Sequence, residues 1–192
     1  MKIVAGLGNP GREYERTPHN AGFRAVDALC AALGASWKAE AKWKAETARA
    51  RSGSMQLLLV KPQTFMNLSG DAIAPVASFY KAKPEDVIVL VDEVNLDPGR
   101  IRVRPSGSAG GHNGLKSVAG RLGTQAFPRV RIGVGMGHRP VSGLVARVLG
   151  RIEPDDEAAV EAGIRLAAEA ALCVAEKGTD FAMNRYNGPE TV

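Results

Sequence analysis

The chain alternates short apolar runs with amphipathic stretches, and this alternation restricts its fold more than any other feature. The runs KIVAGLG and DVIVLVDE are typical of buried strands, whereas DAIAPVASFYK and EPDDEAAVEAGIRLAAEAALCVAEKG have the apolar spacing of helices. The segments KWKAETARAR and MQLLLVKP, separated by SGS, predict a hairpin. Strands that alternate with helices build a layered α/β fold. We therefore predict one α/β domain over residues 1–192, with a mixed β-sheet flanked by helices on both faces.

Three further helices are predicted from caps and spacing. Thr17 is predicted to cap a helix that begins at Pro18 and ends at Gly34. PVSGLVARVLG predicts a second helix. A third follows the glycine-rich loop GSAGGHNG, with four residues facing the core: Leu115, Val118, Ala119 and Leu122.

The net charge of +5 conceals an uneven distribution of charge along the chain. Residues 100–151 contain 10 basic side chains and no acidic ones, whereas residues 152–192 contain 3 basic and 9 acidic ones. The alternation in RIRVRP predicts a strand with three arginines on one face: Arg100, Arg102 and Arg104. In RVRIGVGMG, Arg129 and Arg131 are likewise predicted to share a face. A solvated surface normally mixes both signs, so this block favours an anionic partner such as nucleic acid.

The two cysteines and the hydropathy indicate where the chain works. Cys30 and Cys173 fall in apolar helical patterns, so we expect buried free thiols in a cytosolic, and hence cytoplasmic, chain. No apolar run approaches the length that spans a membrane, so we expect no membrane partner.

Several common types of site are excluded by the absence of their motifs. The chain contains neither the G-x-S-x-G of a serine nucleophile nor the H-E-x-x-H of a zinc protease. GLGNPG matches the G-x-G-x-x-G spacing of a dinucleotide loop only superficially, because its Pro and Gly indicate a loop rather than the start of a helix, and no Walker lysine follows it. We therefore expect neither a metal nor a nucleotide cofactor.

Polar residues instead gather where predicted strands end or helices begin. The candidates are Asn9, His19, Met66, Asn67, Asp92, His112 and Asn113. Each has a simpler explanation, such as a turn residue, a turn cap or a histidine at a loop tip. Their joint placement at the ends of strands favours a single cleft, because α/β proteins place their sites there.

Histidine, aspartate and asparagine together can hydrolyse an activated ester without a covalent intermediate. The ordinary pKa of an imidazole, about 6.5, suits a general base near neutral pH. An aspartate fixes its tautomer and stabilises the imidazolium that forms. Asparagine amides are neutral donors for a substrate carbonyl or an oxyanion.

The motifs GLGNPG, YERTPHNAG, KPQTFMNLSG, VDEVNLDPG, GGHNGLKS and RVRIGVG, in this order, closely resemble the bacterial peptidyl-tRNA hydrolase family. The resemblance covers nearly the whole chain. It implies cleavage of the ester between a peptide and the 3′ ribose of tRNA, which recycles stalled peptidyl-tRNA. It also implies a monomer that needs no metal or cofactor and binds the acceptor stem and 3′ end of tRNA.

By the same resemblance, His19 is the base that activates water, Asp92 orients it, and Asn9 contacts the peptide beside the ester. Asn20 is expected to be a structural residue at the helix start. Six further residues are expected at the substrate and the tRNA terminus: Tyr14, Phe65, Met66, Asn67, His112 and Asn113. Three match the family's phosphate contacts: Arg104, Lys116 and Arg131.

Three positions depart from the family's pattern. Pro18 stands where arginine is common, and proline suits a first helical position. Phe65 replaces a frequent tyrosine, which keeps the ring and loses a hydroxyl hydrogen bond. Asn95 replaces a usual aspartate and leaves Asp92 intact.

Two other functions remain open from the residues themselves. A non-catalytic RNA-binding protein could use the same scaffold, but binding needs no base such as His19. An esterase for small substrates would not need the basic block at residues 100–151. Turnover of an N-blocked aminoacyl-tRNA distinguishes the three functions.

Overall fold

The computed structural model describes residues 1–135, 148–150 and 152–188. Its strands within these residues are β1 (Lys2–Gly6), β2 (Lys38–Glu40), β3 (Ala45–Ser52), β4 (Met55–Pro62), β5 (Val87–Glu93), β6 (Ile101–Arg104) and β7 (Arg129–Gly133). They form a seven-stranded sheet in the order β2-β3-β4-β1-β5-β7-β6.

The centre of the sheet is parallel and its outer strands are antiparallel. β1 pairs in parallel with β4 and β5, and β5 pairs in parallel with β7. β2, β3 and β6 run antiparallel to their neighbours, so the sheet is mixed, as predicted. The carboxyl ends of β1, β4, β5 and β7 consequently meet at one edge, where the loops that follow them can form a site.

Helices cover both faces of the sheet, which confirms the predicted fold class. Their bounds within the described residues are α1 (Ala21–Ala32), α2 (Ser69–Phe79), α3 (Asn113–Leu122), α4 (Pro154–Lys177) and α5 (Thr179–Tyr186). One core joins α1, α4 and α5 to one face through residues such as Leu29 and Ile164. The other joins α2 and α3 to the opposite face through residues such as Ile73, Leu115 and Val118.

The first helix begins later than predicted. Residues Pro18–Asn20 form a 3-10 turn, and α1 starts at Ala21. The Thr17 hydroxyl donates to the carbonyl oxygen of Tyr14 at 2.8 Å and caps no helix. The predicted side-chain cap is not formed, because the Asn20 N–H donates to the backbone carbonyl of Thr17 at 3.1 Å and closes the 3-10 turn instead.

Two short elements, β2 and α5, were missed by sequence reasoning. Both depend on tertiary neighbours: β2 pairs only with β3 in the sheet order, and α5 lies against the edge strand β6. Beyond α5, the Asn187 amide accepts from the backbone N–H of Val103 at 2.7 Å and donates to its carbonyl at 3.1 Å. The side chain thereby satisfies part of the exposed edge of β6.

Other predictions fall on elements that serve the site only indirectly. Cys30 and Cys173 are buried free thiols, as expected. The helix predicted over 140–150 lies largely outside the described residues. Among the helices of the described part of the chain, none is both long and apolar enough to cross a membrane.

Candidate active site

A cleft of about 430 Å³ opens at the sheet edge where the parallel strands end. It brings together nine of the twelve predicted site residues: Asn9, Tyr14, His19, Phe65, Met66, Asn67, Asp92, His112 and Asn113. They come from the loop after β1, the loop after β4, the end of β5 and the start of α3. Segments far apart in sequence thus converge because their strands are neighbours in the sheet.

Asp92 lies at the centre of this cleft, near the end of β5, and its side chain is 1% exposed. Its Oδ1 is 3.0 Å from Nδ1 of His19 and 2.9 Å from Nε2 of His112. Burial alone raises the pKa of the Asp92 carboxyl, but the electrostatic attraction and hydrogen bonds of His112 and His19 outweigh burial. The pKa of Asp92 is therefore lowered well below its usual range, and the group is ionised near neutral pH.

The hydrogen bonds of His112 define its tautomer. This residue is the N-cap of α3, and its Nδ1 accepts from the backbone N–H of Gly114 at 3.1 Å and of Leu115 at 3.4 Å. A ring nitrogen that accepts carries no proton. The proton of His112 is therefore on Nε2, from which it is donated to Asp92. A charged imidazolium at this position would lose both cap interactions.

His19 has the opposite tautomer. Its Nδ1 donates to both carboxylate oxygens of Asp92, at 3.0 and 3.1 Å. In the neutral ring Nε2 then carries the lone pair, which is the arrangement of a general base. The side chain is 13% exposed and lines the cleft. Asp92 therefore binds two imidazoles in different states. Nε2 of His19 can accept a proton, whereas Nδ1 of His112 already accepts from two backbone N–H groups.

The same three side chains could be considered as metal ligands, since their ligand atoms lie within 4.8 Å of one another. A metal on Nε2 of His112 would move that ring's proton to Nδ1, against the amides of Gly114 and Leu115. A metal on Nδ1 of His19 would leave the proton on Nε2. The hydrogen bonds observed here thus fit a base and its support better than a metal centre.

Asn9 presents an amide with a defined orientation. Its Oδ1 accepts from the backbone N–H of Met66 at 2.7 Å, so Nδ2 is left as the donor for a ligand in the cleft. The residue is only 7% exposed. A buried, oriented N–H donor suits a substrate carbonyl or an oxyanion.

Glycines allow α3 to begin close against the cleft. Gly111 has φ +86°, in the left-handed region that favours glycine. A Cβ at Gly114 would lie 2.5 Å from the sulfur of Met66 and 2.9 Å from a methyl carbon of Leu7, so both side chains would have to shift. The glycine-rich loop therefore permits both the turn before His112 and the close approach after it.

The arginines of β6 and β7 form a second region beside the cleft. In the register of these strands Arg102 lies opposite Arg131, and Arg104 lies opposite Arg129, so all four share one face. Arg102, Arg104 and Arg131 line a cavity of about 380 Å³ together with Glu93. β6 begins at Ile101, so the prediction that Arg100 belongs to this strand was wrong. Arg100 instead ends the turn over residues 97–100, in which its backbone N–H donates to the Asp97 carbonyl at 3.1 Å.

Part of the positive charge in this region is already used within the protein. Arg131 Nη1 donates to Glu93 Oε2 at 2.6 Å, and its Nη2 donates to the Ser108 carbonyl at 3.1 Å. Arg129 is buried and donates to three backbone carbonyls, those of Gly107, Gln125 and Phe127. Burial, with the nearby charge of Arg131, lowers the pKa of Arg129 to about 10, so the group remains charged near neutral pH.

The basic block consequently offers less charge to a partner than its composition indicates. Arg121 is paired with Asp71 at 2.5 Å, and Lys116 is exposed on α3 outside both cavities. Glu93 and Asp71 come from segments outside residues 100–151, which is why a count within that block missed them. The adjacent acids in VDE were a signal for Glu93, but only the sheet register places it beside Arg131.

The parallel strands of this α/β sheet end at a buried carboxylate that orients a histidine, an arrangement suited to general-base hydrolysis. The family model described as Peptidyl-tRNA hydrolase matches residues 3–192, and the chain belongs to this family. Two relatives, both named peptidyl-tRNA hydrolase, come from Caldanaerobacter subterraneus and Agathobacter rectalis. They are 45% and 47% identical over 189 residues, which is 98% and 97% of this chain and 100% of each relative.

Solved structures agree with this assignment. A peptidyl-tRNA hydrolase in complex with N-propanol has a TM-score of 0.90 at 33% identity and covers 100% of this chain and 97% of that one. The enzyme from Acinetobacter baumannii has a TM-score of 0.90 at 33% identity and covers 98% of this chain and 95% of that one. The chain is thus a hydrolase of the ester bond in peptidyl-tRNA, and the alternative of a non-catalytic RNA-binding protein is not supported.

Proposed function

We propose that this chain cleaves the ester between a peptide, or an N-blocked amino acid, and the 3′ ribose of tRNA by means of a water molecule activated by His19. The observation that carries the proposal is the pair of contacts from Asp92 to Nδ1 of His19, at 3.0 and 3.1 Å. These contacts leave Nε2 as the acceptor for a proton from water. An activated ester needs little more than a positioned water and a base.

The chemistry can be written with His19, Asp92 and Asn9 alone. Nε2 of His19 removes a proton as the water oxygen bonds to the ester carbonyl carbon, and the carbonyl oxygen becomes an oxyanion. Nδ2 of Asn9 donates to that oxygen, while the Asp92 carboxylate stabilises the imidazolium. The intermediate then expels the 3′ oxygen of the ribose, which receives the proton from His19. The products are a peptide carboxylic acid, which ionises, and a tRNA with a free 3′ hydroxyl.

His112 has a supporting part in this proposal. Its Nε2–H holds Oδ1 of Asp92 at 2.9 Å, and its Nδ1 is occupied by the cap of α3. The ring therefore restrains the carboxylate without competing for the proton taken from water. The ring centroids of His112 and His19 are only 4.9 Å apart. The two imidazoles therefore need different tautomers if only His19 is to accept the proton from water.

The remaining residues of the cleft are proposed to hold the substrate. Asn67 and Asn113 are exposed amides at its rim, Met66 is a buried wall, and Tyr14 and Phe65 offer rings to the tRNA terminus. Phe65 is 57% exposed, which suits a ring that stacks on a base rather than one that fills the core.

The acceptor stem is proposed to follow the cavity beside the cleft, with phosphates near Arg104 and Arg131 and a further contact at Lys116. Shared lining by Glu93 connects this cavity to the cleft, so one nucleic acid could occupy both. We further propose that the enzyme acts as a cytoplasmic monomer, without a metal or a cofactor.

Hydrolysis of N-blocked aminoacyl-tRNA tests the proposal. We expect turnover that persists in the presence of a chelator, and its loss in His19→Ala with tRNA binding retained. Near-normal hydrolysis by His19→Ala would remove His19 from the mechanism. Loss of wild-type activity on chelation would instead point to a metal.

A further inference from the structure

Asn20 is bound to the backbone of Asn9 in a reciprocal pair. Its Oδ1 accepts from the backbone N–H of Asn9 at 2.8 Å, and its Nδ2 donates to the carbonyl of Asn9 at 2.9 Å. Asn20 itself is 2% exposed. It stands at the N-cap position of α1 but makes no side-chain cap hydrogen bond there. Asn20 is thus the expected structural residue at the helix start, but its side chain bonds to Asn9 rather than to the helix.

The local backbone explains why a primary amide is needed here. β1 ends at Gly6, and by Asn9 the chain has left the sheet while remaining buried. Buried backbone N–H and C=O groups need partners. An asparagine amide supplies one donor and one acceptor in a single plane, so Asn20 satisfies both groups at once. A carboxylate of the same size could satisfy only the N–H.

We infer that Asn20 is a positioning residue for the reaction, acting through Asn9. This inference rests on the proposed function, in which Nδ2 of Asn9 meets the ester carbonyl. Two restraints fix Asn9: Asn20 holds its backbone from one side, and the Met66 N–H at 2.7 Å holds its side chain. Loss of the Asn20 hydrogen bonds would let the backbone of Asn9 move, and with it the side-chain amide of Asn9. A displacement of about 1 Å in a catalytic group can cost up to 10²-fold in rate.

Asn187 provides a matched control within the same chain. It makes the same reciprocal amide pair, with Val103 of β6, at 2.7 and 3.1 Å. Asn20→Asp and Asn187→Asp therefore remove equivalent hydrogen bonds, but only the first lies next to the cleft. The substrate for the comparison is a minimal ester of an N-blocked amino acid with the terminal nucleoside, on which contacts to the acceptor stem have no influence.

We expect Asn20→Asp to lower kcat on the minimal ester about 10- to 100-fold, and Asn187→Asp to leave it within about twofold. Asn20→Asp added to Asn9→Ala should cause little further loss, because Asn20 acts through the side chain that Asn9→Ala removes. The acidic limb of the pH–rate profile should stay in place, since His19 and Asp92 are unchanged. If Asn20→Asp does not fold at the assay temperature, Asn20→Ser replaces it, and the same loss of kcat is expected.

Three results would overturn the inference while the proposed function stands. They are wild-type kcat in folded Asn20→Asp or Asn20→Ser, fully additive losses with Asn9→Ala, and a shift of the acidic limb that traces the loss to His19. A wild-type protein that does not hydrolyse the minimal ester or the full tRNA substrate would overturn the proposed function itself. The two failures are thus distinguishable in one set of assays.

Discussion

The cluster of His19, Asp92 and His112 and the arginine face of β6 and β7 are built on opposite principles. In the cluster, hydrogen bonds to Asp92 and to the start of α3 decide where the proton of each imidazole lies, and the side chains of His19, Asp92 and His112 are 13%, 1% and 14% exposed. In the arginine face, like charges lie opposite one another across two strands, and Glu93 and backbone carbonyls offset part of their repulsion. The expected function of the cluster depends on the orientation of its side chains, whereas that of the arginine face depends on its total positive charge. Changes in the first should affect kcat, whereas changes in the second should affect binding and its salt dependence.

The largest effect is expected from the base. His19→Ala should lower turnover about 10²- to 10⁴-fold on both full tRNA and a minimal ester, since a general base is removed. Binding of uncleaved tRNA, measured by titration at constant salt, should be retained because the arginine face is unchanged. Equal losses of binding and turnover would show that the two regions are not separable.

Replacement of Asp92 should cost less but move the pH dependence. Asp92→Asn keeps the side-chain volume and removes the charge that stabilises the imidazolium of His19. The acidic limb of the pH–rate profile should shift to lower pH, because the base then loses its proton more readily. The lowered pKa of Asp92 keeps the wild-type carboxylate ionised throughout this limb, so the limb reports the imidazole. An unmoved limb would contradict the partnership of Asp92 and His19.

His112 combines two functions that a pair of variants can separate. His112→Ala should lose the cap of α3, at a cost of about 1 kcal/mol in the free energy of unfolding, together with the contact to Asp92. His112→Asn should recover the cap, because asparagine is a favourable N-cap, but its shorter side chain should not restrain Asp92. We expect stability to recover and kcat to stay low in His112→Asn. Recovery of both in denaturation and turnover assays would mean that only the cap matters.

The smallest kinetic effect should come from the arginine face. Arg104→Ala and Arg131→Ala should each raise KM for full tRNA. Each should also reduce, by about 0.7–0.9, the magnitude of the slope of the log association constant against log salt concentration. The rate on the minimal ester should not change. Equal losses on both substrates would indicate support of the fold rather than phosphate contact.

Arg129 is the internal control for that experiment. Arg129→Gln removes a buried guanidinium that donates to the backbone carbonyls of Gly107, Gln125 and Phe127, and it should lower the free energy of unfolding by about 1–3 kcal/mol. Its effect on the salt slope of tRNA binding should be smaller than that of Arg104→Ala. If the salt slope of folded Arg129→Gln fell by about 0.7–0.9, Arg129 would belong to the tRNA-binding surface.

Local patterns predicted the long elements well and the junctions poorly. α4 and the hairpin of β3 and β4 follow from apolar spacing and turn residues, and the structure confirms them. The start of α1 was misplaced because residues Pro18–Asn20 form a 3-10 turn, closed by the Asn20 N–H on the Thr17 carbonyl, before the α-helix begins. Short elements such as α5 were missed because they derive their stability from tertiary packing rather than from propensity.

The fold class, the family and most of the polar residues of the cleft could be predicted before the structure, because apolar periodicity and motif order are properties of the chain. The orientation of their polar atoms could be learned only from the folded structure. The tautomers of His19 and His112 depend on one shared carboxylate, and the orientation of Asn9 depends on Met66 and Asn20. Strand register, and acidic residues from outside the basic block, decide which arginines are paired within the protein. Hydrogen bonds between segments 11 to 73 residues apart exist only after the sheet brings those segments together, and no local pattern encodes them.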